Sequence, residues 1–235
     1  MKKLNEKANF KGDPNATTPE TFLNSLDPDA RAAVQLVGTG RAPLSRPDYI
    51  LARNPDFLNA VAKAYPDFDM SKVKSYQDAY KDFTSGKTAD SLQHGSIAIG
   101  HLQRLKQIND ENPIAVHNPA TAAYKEYNNL LDTVAGELIA FYHEPSTNES
   151  RAAKKSTLGG LVNRDAAIQE QAKAMAVKLD SFKTRWNNAA PSAAYQAQMP
   201  DITPQAKAAI QTLLGGQQQQ STTKPNPFRQ PQGNQ

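Results

Sequence analysis

Lys81-Asp82-Phe83-Thr84-Ser85-Gly86-Lys87-Thr88 separates two possible folds. Taken as the end of a phosphate-binding loop, Ser85-Gly86-Lys87-Thr88 would make the chain an α/β nucleotide binder. Such a loop needs glycine five positions before Gly86, so that backbone N–H groups can wrap the phosphates. Lys81 stands there. A buried strand should lead into the loop. Instead Val73, Tyr76, Tyr80 and Phe83 recur at helical spacing over 71–83, with no β-branched run. The spacing predicts a helix ending near Phe83, a break at Ser85-Gly86, and a new helix capped by Thr88.

The rest of the chain agrees. Five times a capping residue stands directly before proline: Thr18-Pro19, Asp27-Pro28, Asn54-Pro55, Asn118-Pro119 and Thr203-Pro204. Proline at the first helical position loses no hydrogen bond, because that N–H has no partner within the helix. The preceding Thr, Asp or Asn accepts from the next free amides. No segment shows strand alternation. The fold class is therefore all-α, a mostly antiparallel helical bundle.

Helices are expected over about 19–26, 28–37, 55–65, 71–83 and 89–109, with an extended segment from Arg41 to Pro47. Two further helices carry the clearest periodicity. In one, Tyr124, Tyr127, Leu131, Val134, Leu138 and Phe141 alternate steps of three and four. In the other, Ile168, Ala172, Met175, Leu179, Phe182 and Trp186 do the same. Leu92, Ile99, Leu102, Leu105 and Ile108 make a third, less regular stripe. Such stripes are seams for helices packing at a shallow angle, and three in succession read as an intramolecular bundle. A last helix runs from Thr203-Pro204 to Leu214. The domain organisation expected is a flexible basic N-terminus over 1–17 and a helical domain over 18–216. That domain comprises short helices in 18–83, a long-helix bundle in 88–190 and a final helix in 203–214. Residues 217–235, rich in Gln, Pro, Ser and Asn, read as a disordered tail.

Composition narrows the function classes. Of 235 residues only 38% are hydrophobic, many of them alanine, and none is cysteine, so disulfides and thiolate metal sites are excluded. No apolar run approaches the ~20 residues that span a bilayer, and no membrane span is expected. Met1-Lys2-Lys3-Leu4-Asn5-Glu6-Lys7 turns polar at once and lacks the apolar region of a signal peptide. This points to synthesis and residence in a cytoplasm, or to export by a route that uses no cleaved signal. The formal charge is +4. Residues 1–12 hold +3 of it, four lysines against Glu6, and 217–235 hold +2 through Lys224 and Arg229, which leaves −1 for the rest. The tails could attract DNA weakly, but the body shows no basic groove.

Four further patches extend the Asp82–Lys87 stretch: Tyr65-Pro66-Asp67-Phe68-Asp69 before it, Ile99-Gly100-His101-Leu102 after it, then Ala135-Gly136-Glu137-Leu138 and Ile202-Thr203-Pro204-Gln205-Ala206. Together they resemble a helical family of phage- and prophage-encoded proteins that carries a DFTSGK…GHL signature, over about residues 26–214. The signature positions here are Asp82, Phe83, Ser85, Gly86, Lys87, Gly100, His101 and Leu102. Gly95 and Ser96 stand where the family has Leu and Asn, and an interior Gly should loosen the helix start. The resemblance implies virion association, with the tail or with proteins ejected alongside DNA. It implies other phage structural proteins, or further copies of the chain, as partners. It attaches no enzymatic activity to particular residues.

Candidate chemistry is sparse. His94 and His101 are seven apart, too far for the i, i+4 chelation of helical zinc sites. His101 is expected inside the bundle with one ring nitrogen hydrogen-bonded. His143 falls at a helix end, where a cation complements the dipole. Glu149-Ser150 resembles the Glu-Ser pair of lytic transglycosylases, whose carboxylic acid protonates the glycosidic oxygen. Yet Glu149 lies in a stretch of Pro, Ser, Thr and Asn that reads as a loop, without the apolar pocket that would raise its pKa. No cofactor, metal or catalytic residue is assigned. The expected function is that of a non-enzymatic structural or assembly protein of a bacteriophage or prophage. A peptidoglycan-cleaving accessory protein and a DNA-associated protein acting through its basic tails are the alternatives.

Overall fold

Four of the five cap–proline pairs open helices. A computed structural model describes residues 9–41, 54–159 and 163–215, and among these every regular element is a helix. The ten α-helices are α1 Pro19–Ser25, α2 Pro28–Gly38, α3 Pro55–Ala64, α4 Val73–Ser85, α5 Lys87–Glu111, α6 Ala122–Tyr142, α7 Asn148–Gly159, α8 Arg164–Ala189, α9 Ala193–Gln196 and α10 Pro204–Gly215. Short 3₁₀ turns at Met70–Lys72 and Ala115–His117 complete the set. The expected segment 41–47 and the tail from 217 lie outside the described residues, apart from Arg41.

The caps work as their chemistry requires. Thr18 accepts from the Thr21 amide, Asp27 from Ala30, Asn54 from Asp56 and Phe57, and Thr203 from Ala206. Asn118-Pro119 is the exception. Its side chain closes a turn onto the Ala120 amide. The cap of α6 is instead Thr121, whose hydroxyl donates to Ala115 O and accepts from the Tyr124 amide.

Two expectations are corrected. The flexible N-terminus does not extend through residue 17: Phe10 is buried, its ring edge-on to Phe57 at 5.2 Å, and the Asn9 amide donates to Asp27. Residues 1–8 lie outside the described ones. The Thr147–Ser150 stretch is not a loop but the start of α7, capped by the Thr147 hydroxyl on the Ser150 amide. The N–H groups of a helix's first turn have no backbone partner within the helix, so a polar, cap-rich sequence is what a helix start needs.

The chain clusters into two compact units. Unit 1 takes residues up to 95, then 139–145 and 177–202. Unit 2 takes 96–138, 146–176 and 203 onward. In place of a split between short N-terminal helices and a long-helix bundle, each long helix contributes a segment to both units. In unit 1, α1, α2 and α3 bury Phe22, Val34, Phe57 and Val61. Beside them Tyr76, Phe83, Trp186 and Tyr195 form an edge-to-face aromatic cluster, with centroids 4.9–5.3 Å apart. The Trp186 indole donates to Tyr195 O, and the Tyr195 hydroxyl donates to Val37 O at the end of α2. The start of α5 meets the ends of both α6 and α8, through Ser91 to Phe141 and Thr88 to Arg185.

In unit 2 the end of α5 meets the starts of α6 and α8, through Arg104–Glu126 and Asn109–Asp165. Helix α5 thus runs antiparallel to α6 and to α8, and α7 returns the chain so that α8 can start beside the start of α6. Lys155 pairs with Asp132, and the Tyr127 hydroxyl reaches Leu158 O. Arg164 is buried, stacked on Tyr127 at 4.4 Å and donating to Val116 O.

Gly95 does not loosen its helix, as the sequence pattern suggested. A Cβ there would stand 2.9 Å from the Phe141 ring, so the missing side chain lets α5 and α6 close on each other. Gly100 of the signature has open space around it. Gly95→Leu should therefore destabilise by about 1–3 kcal/mol through overpacking, whereas Gly100→Ala should stabilise by about 0.5–1 kcal/mol. Urea melts of the two variants against the parent check both signs.

Candidate functional site: the α4–α5 junction

The signature residues of unit 1 gather where α4 ends and α5 begins. Thr88 does not cap α5. The Asp82 carboxylate, one turn earlier in α4, reaches over the break. Its Oδ1 accepts from the Thr88 amide at 3.3 Å and its Oδ2 from the Thr88 hydroxyl at 2.6 Å. Gly86 O accepts from the Asp90 amide and starts the α5 ladder. The glycine is needed for space and not for a left-handed turn: its φ is −109°, and a Cβ would lie 2.6 Å from Asp82 Oδ1 and 2.7 Å from Asp82 Cα.

Arg185 of α8 completes the arrangement. Its guanidinium donates to Asp82 Oδ2 at 2.7 Å and to the buried Thr88 hydroxyl, and it lies over the Phe83 ring at 4.9 Å. Phe83 packs against Phe182 and Trp186. Ser85 turns its hydroxyl back to Lys81 O, and the Lys87 side chain is exposed.

The end of α6 is fastened to the same helix start. His143 takes φ 56°, and its amide and that of Glu144 donate to Ala140 O and Ile139 O, a Schellman closure. Glycine is the usual residue there. Histidine is kept because its ring bonds: Nε2 lies 2.8 Å from Lys87 O and 2.9 Å from Ser91 Oγ. A carbonyl only accepts, so Nε2 carries a proton. Ser91 in turn donates to Phe141 O at 2.9 Å. Lys178 Nζ donates to the same carbonyl at 2.6 Å, with its ammonium 4.7 Å above the Phe141 ring and 4.9 Å above Tyr142.

Electrostatics follow from these contacts. Burial alone would raise the Asp82 carboxyl, but the Thr88 hydroxyl and amide, then Arg185, hold it below the ordinary carboxylate range. Burial lowers the Lys178 ammonium, partly offset by Glu144.

The remaining signature residues do not join this site. Gly100, His101 and Leu102 belong to unit 2. Leu102 is core, and His101 is half-buried. The expected hydrogen bond of His101 is absent at Nδ1, which is buried without a partner. Glu149 is fully exposed in the first turn of α7, and its own amide and the Thr147 hydroxyl lower its pKa. A general acid needs the opposite shift. Among the described residues no three His, Asp or Glu side chains gather as metal ligands, and no helix is long and apolar enough to cross a membrane. Arg185, Ser91 and Lys178 were not singled out from the sequence. Only the helical stripe containing Phe182 and Trp186 marks the face that carries Arg185.

No family model matches the chain, and no curated protein or solved structure is found to match it.

The lowered Asp82 pKa has a defined pH signature. A carboxyl depressed in the folded state adds stability above its unfolded pKa of about 3.9, and that stability is lost as pH falls through the folded value. Asp82→Asn should cost about 1 kcal/mol at neutral pH, a size set by a partly exposed cap. The difference from the parent should stay level down to about pH 5 and shrink below about pH 4. Thermal melts across that range check it, and an unchanged gap at pH 3 would contradict the assignment.

Proposed function

We propose that the chain is a non-enzymatic structural or assembly protein of a bacteriophage or prophage, associated with the virion as a tail or ejected internal protein. The observation that carries this reading is how Asp82 is used. Both carboxylate oxygens are engaged by the chain's own Thr88 and Arg185. Neighbouring Phe83 is spent on core packing, and Gly86 on close backbone approach. A signature consumed in fixing helix ends suits a protein that presents a rigid helical surface to its partners. The resemblance to phage-encoded helical proteins supplies the setting.

The peptidoglycan-cleaving alternative requires Glu149 to hold a proton near neutral pH, and its exposure and lowered pKa argue against that role. The basic residues behind the DNA reading are concentrated in the two tails. Mass spectrometry of purified phage particles tests the proposal. The protein should co-purify with particles at a fixed ratio to the major structural proteins. Its presence in infected lysate and absence from particles would refute virion association.

A further inference from the structure

Unit 1 carries a groove of about 450 Å³ lined by Phe10, Lys11 and Phe22 on one side and by Asp56, Asn59, Ala60 and Lys63 of α3 on the other. Its floor is apolar, since Phe10, Phe22 and Ala60 are buried beneath it. Its rim is polar and exposed. The Lys63 ammonium lies 5.1 Å over the Phe22 ring. Among the described residues neither Lys11 nor Lys63 pairs with a carboxylate. Two ammonium groups therefore stand against the single carboxylate of Asp56 around an apolar floor. Such a groove, with a net excess of one positive charge, fits an apolar side chain that arrives with negative charge beside it.

The same chain displays one. Five large apolar side chains are exposed among the described residues: Leu36, Met70, Ile97, Ile114 and Val177. Met70 alone follows directly on two exposed carboxylates, Asp67 and Asp69. The turn that presents it is held firmly. Phe68 is buried edge-on to Tyr195, and the Asp69 amide donates to Pro191 O at 2.8 Å. The Asp69 carboxylate closes the turn on the Ser71 amide and hydroxyl, with Lys72 at 4.0 Å. Asp67 has no such engagement. A flexible, polarizable thioether suits an adaptable apolar contact.

We propose that the groove takes Met70 of a second copy of this chain, with Asp67 and Asp69 of that copy meeting Lys11 and Lys63. Each copy owns both halves, so the contact closes as a dimer or repeats along an assembly. Exposed ion pairs contribute little energy and are screened by salt, so the association is weak and salt-sensitive, with charge setting its specificity. This deepens the assembly reading by naming the partner, yet the two fail separately. A monomeric protein in solution sinks the self-contact and leaves virion association standing. Absence from particles does the reverse.

The test uses the full chain, which has no cysteine of its own. An Asn59→Cys variant mixed with a Met70→Cys variant under mild oxidation should give a disulfide-linked pair. Its yield should exceed that of either variant alone by about tenfold and fall at high salt, as an interaction of this kind requires. In sedimentation velocity, Lys63→Glu and Asp67→Lys should each weaken self-association by about tenfold, and mixing the two should restore it. Both positions are exposed, so circular dichroism should be unchanged. A parent chain that stays monomeric at high micromolar concentration in low salt overturns the proposal. So does a mixed cysteine sample that cross-links no better than its single-variant controls.

Discussion

The Asp82 carboxylate carries the break between two helices, and the arrangement around it depends on that bond. A helix start leaves four amides without partners. Here the 25-residue α5 begins one residue after α4 stops, with no loop to supply a cap. A side chain from the last turn of α4 does so. This forces the two helices close enough that Gly86 can have no Cβ. It also places a buried hydroxyl, Thr88, beside a carboxylate that would be costly to leave unpaired. Arg185 settles that charge and in doing so fastens the last turns of α8 to the same point.

The same end of α5 receives α6. His143 accepts a left-handed backbone, a conformation that costs about 1–2 kcal/mol outside glycine, and its ring is bonded to Lys87 O and Ser91. Phe141 O takes two donors, Ser91 and Lys178. The start of α5 and the end of α6 are thereby joined by side chain to backbone bonds, α8 is tied in through Lys178 and Arg185, and Phe83 packs on Phe182 and Trp186. A helix, not a strand, leads into Gly86-Lys87-Thr88, in keeping with the rejection of a phosphate loop there. The Thr88 amide is already bonded to Asp82, and the Lys87 carbonyl is bonded to His143 while the Lys87 side chain is exposed.

What was legible in the sequence was local. Thr18, Asp27, Asn54 and Thr203 each act within three residues, so the cap–proline pairs marked helix starts correctly. Asn118-Pro119 misled because a better cap, Thr121, lies three residues on, its hydroxyl bonded to the Ala115 carbonyl as well. The stripes on α6 and α8 are buried as their spacing implied, apart from the half-buried Tyr124 and Leu179. Helix α7 escaped notice because Leu158 is its one buried side chain, and a helix without an apolar stripe has no periodic signal. The site was less legible. Arg185 lies 103 residues from Asp82, and Lys178 lies 37 from Phe141. Nothing in either neighbourhood announces the pairing. Gly95 read as a weak point because helix propensity says so, whereas the packing of Phe141 reverses the sign.

The central claim is that Asp82 holds the start of α5 and, through Arg185 and the Lys87 turn, the ends of two other helices. Native-state hydrogen exchange on the full chain, comparing the parent with Asp82→Ala, addresses it residue by residue. Exchange should be faster at Thr88 and through the first turn of α5 in the variant, with a smaller loss of protection at the ends of α6 and α8. Protection in the middle of α6 and α8 should not change. An unaltered Thr88 amide, or a uniform loss across all helices, would contradict it.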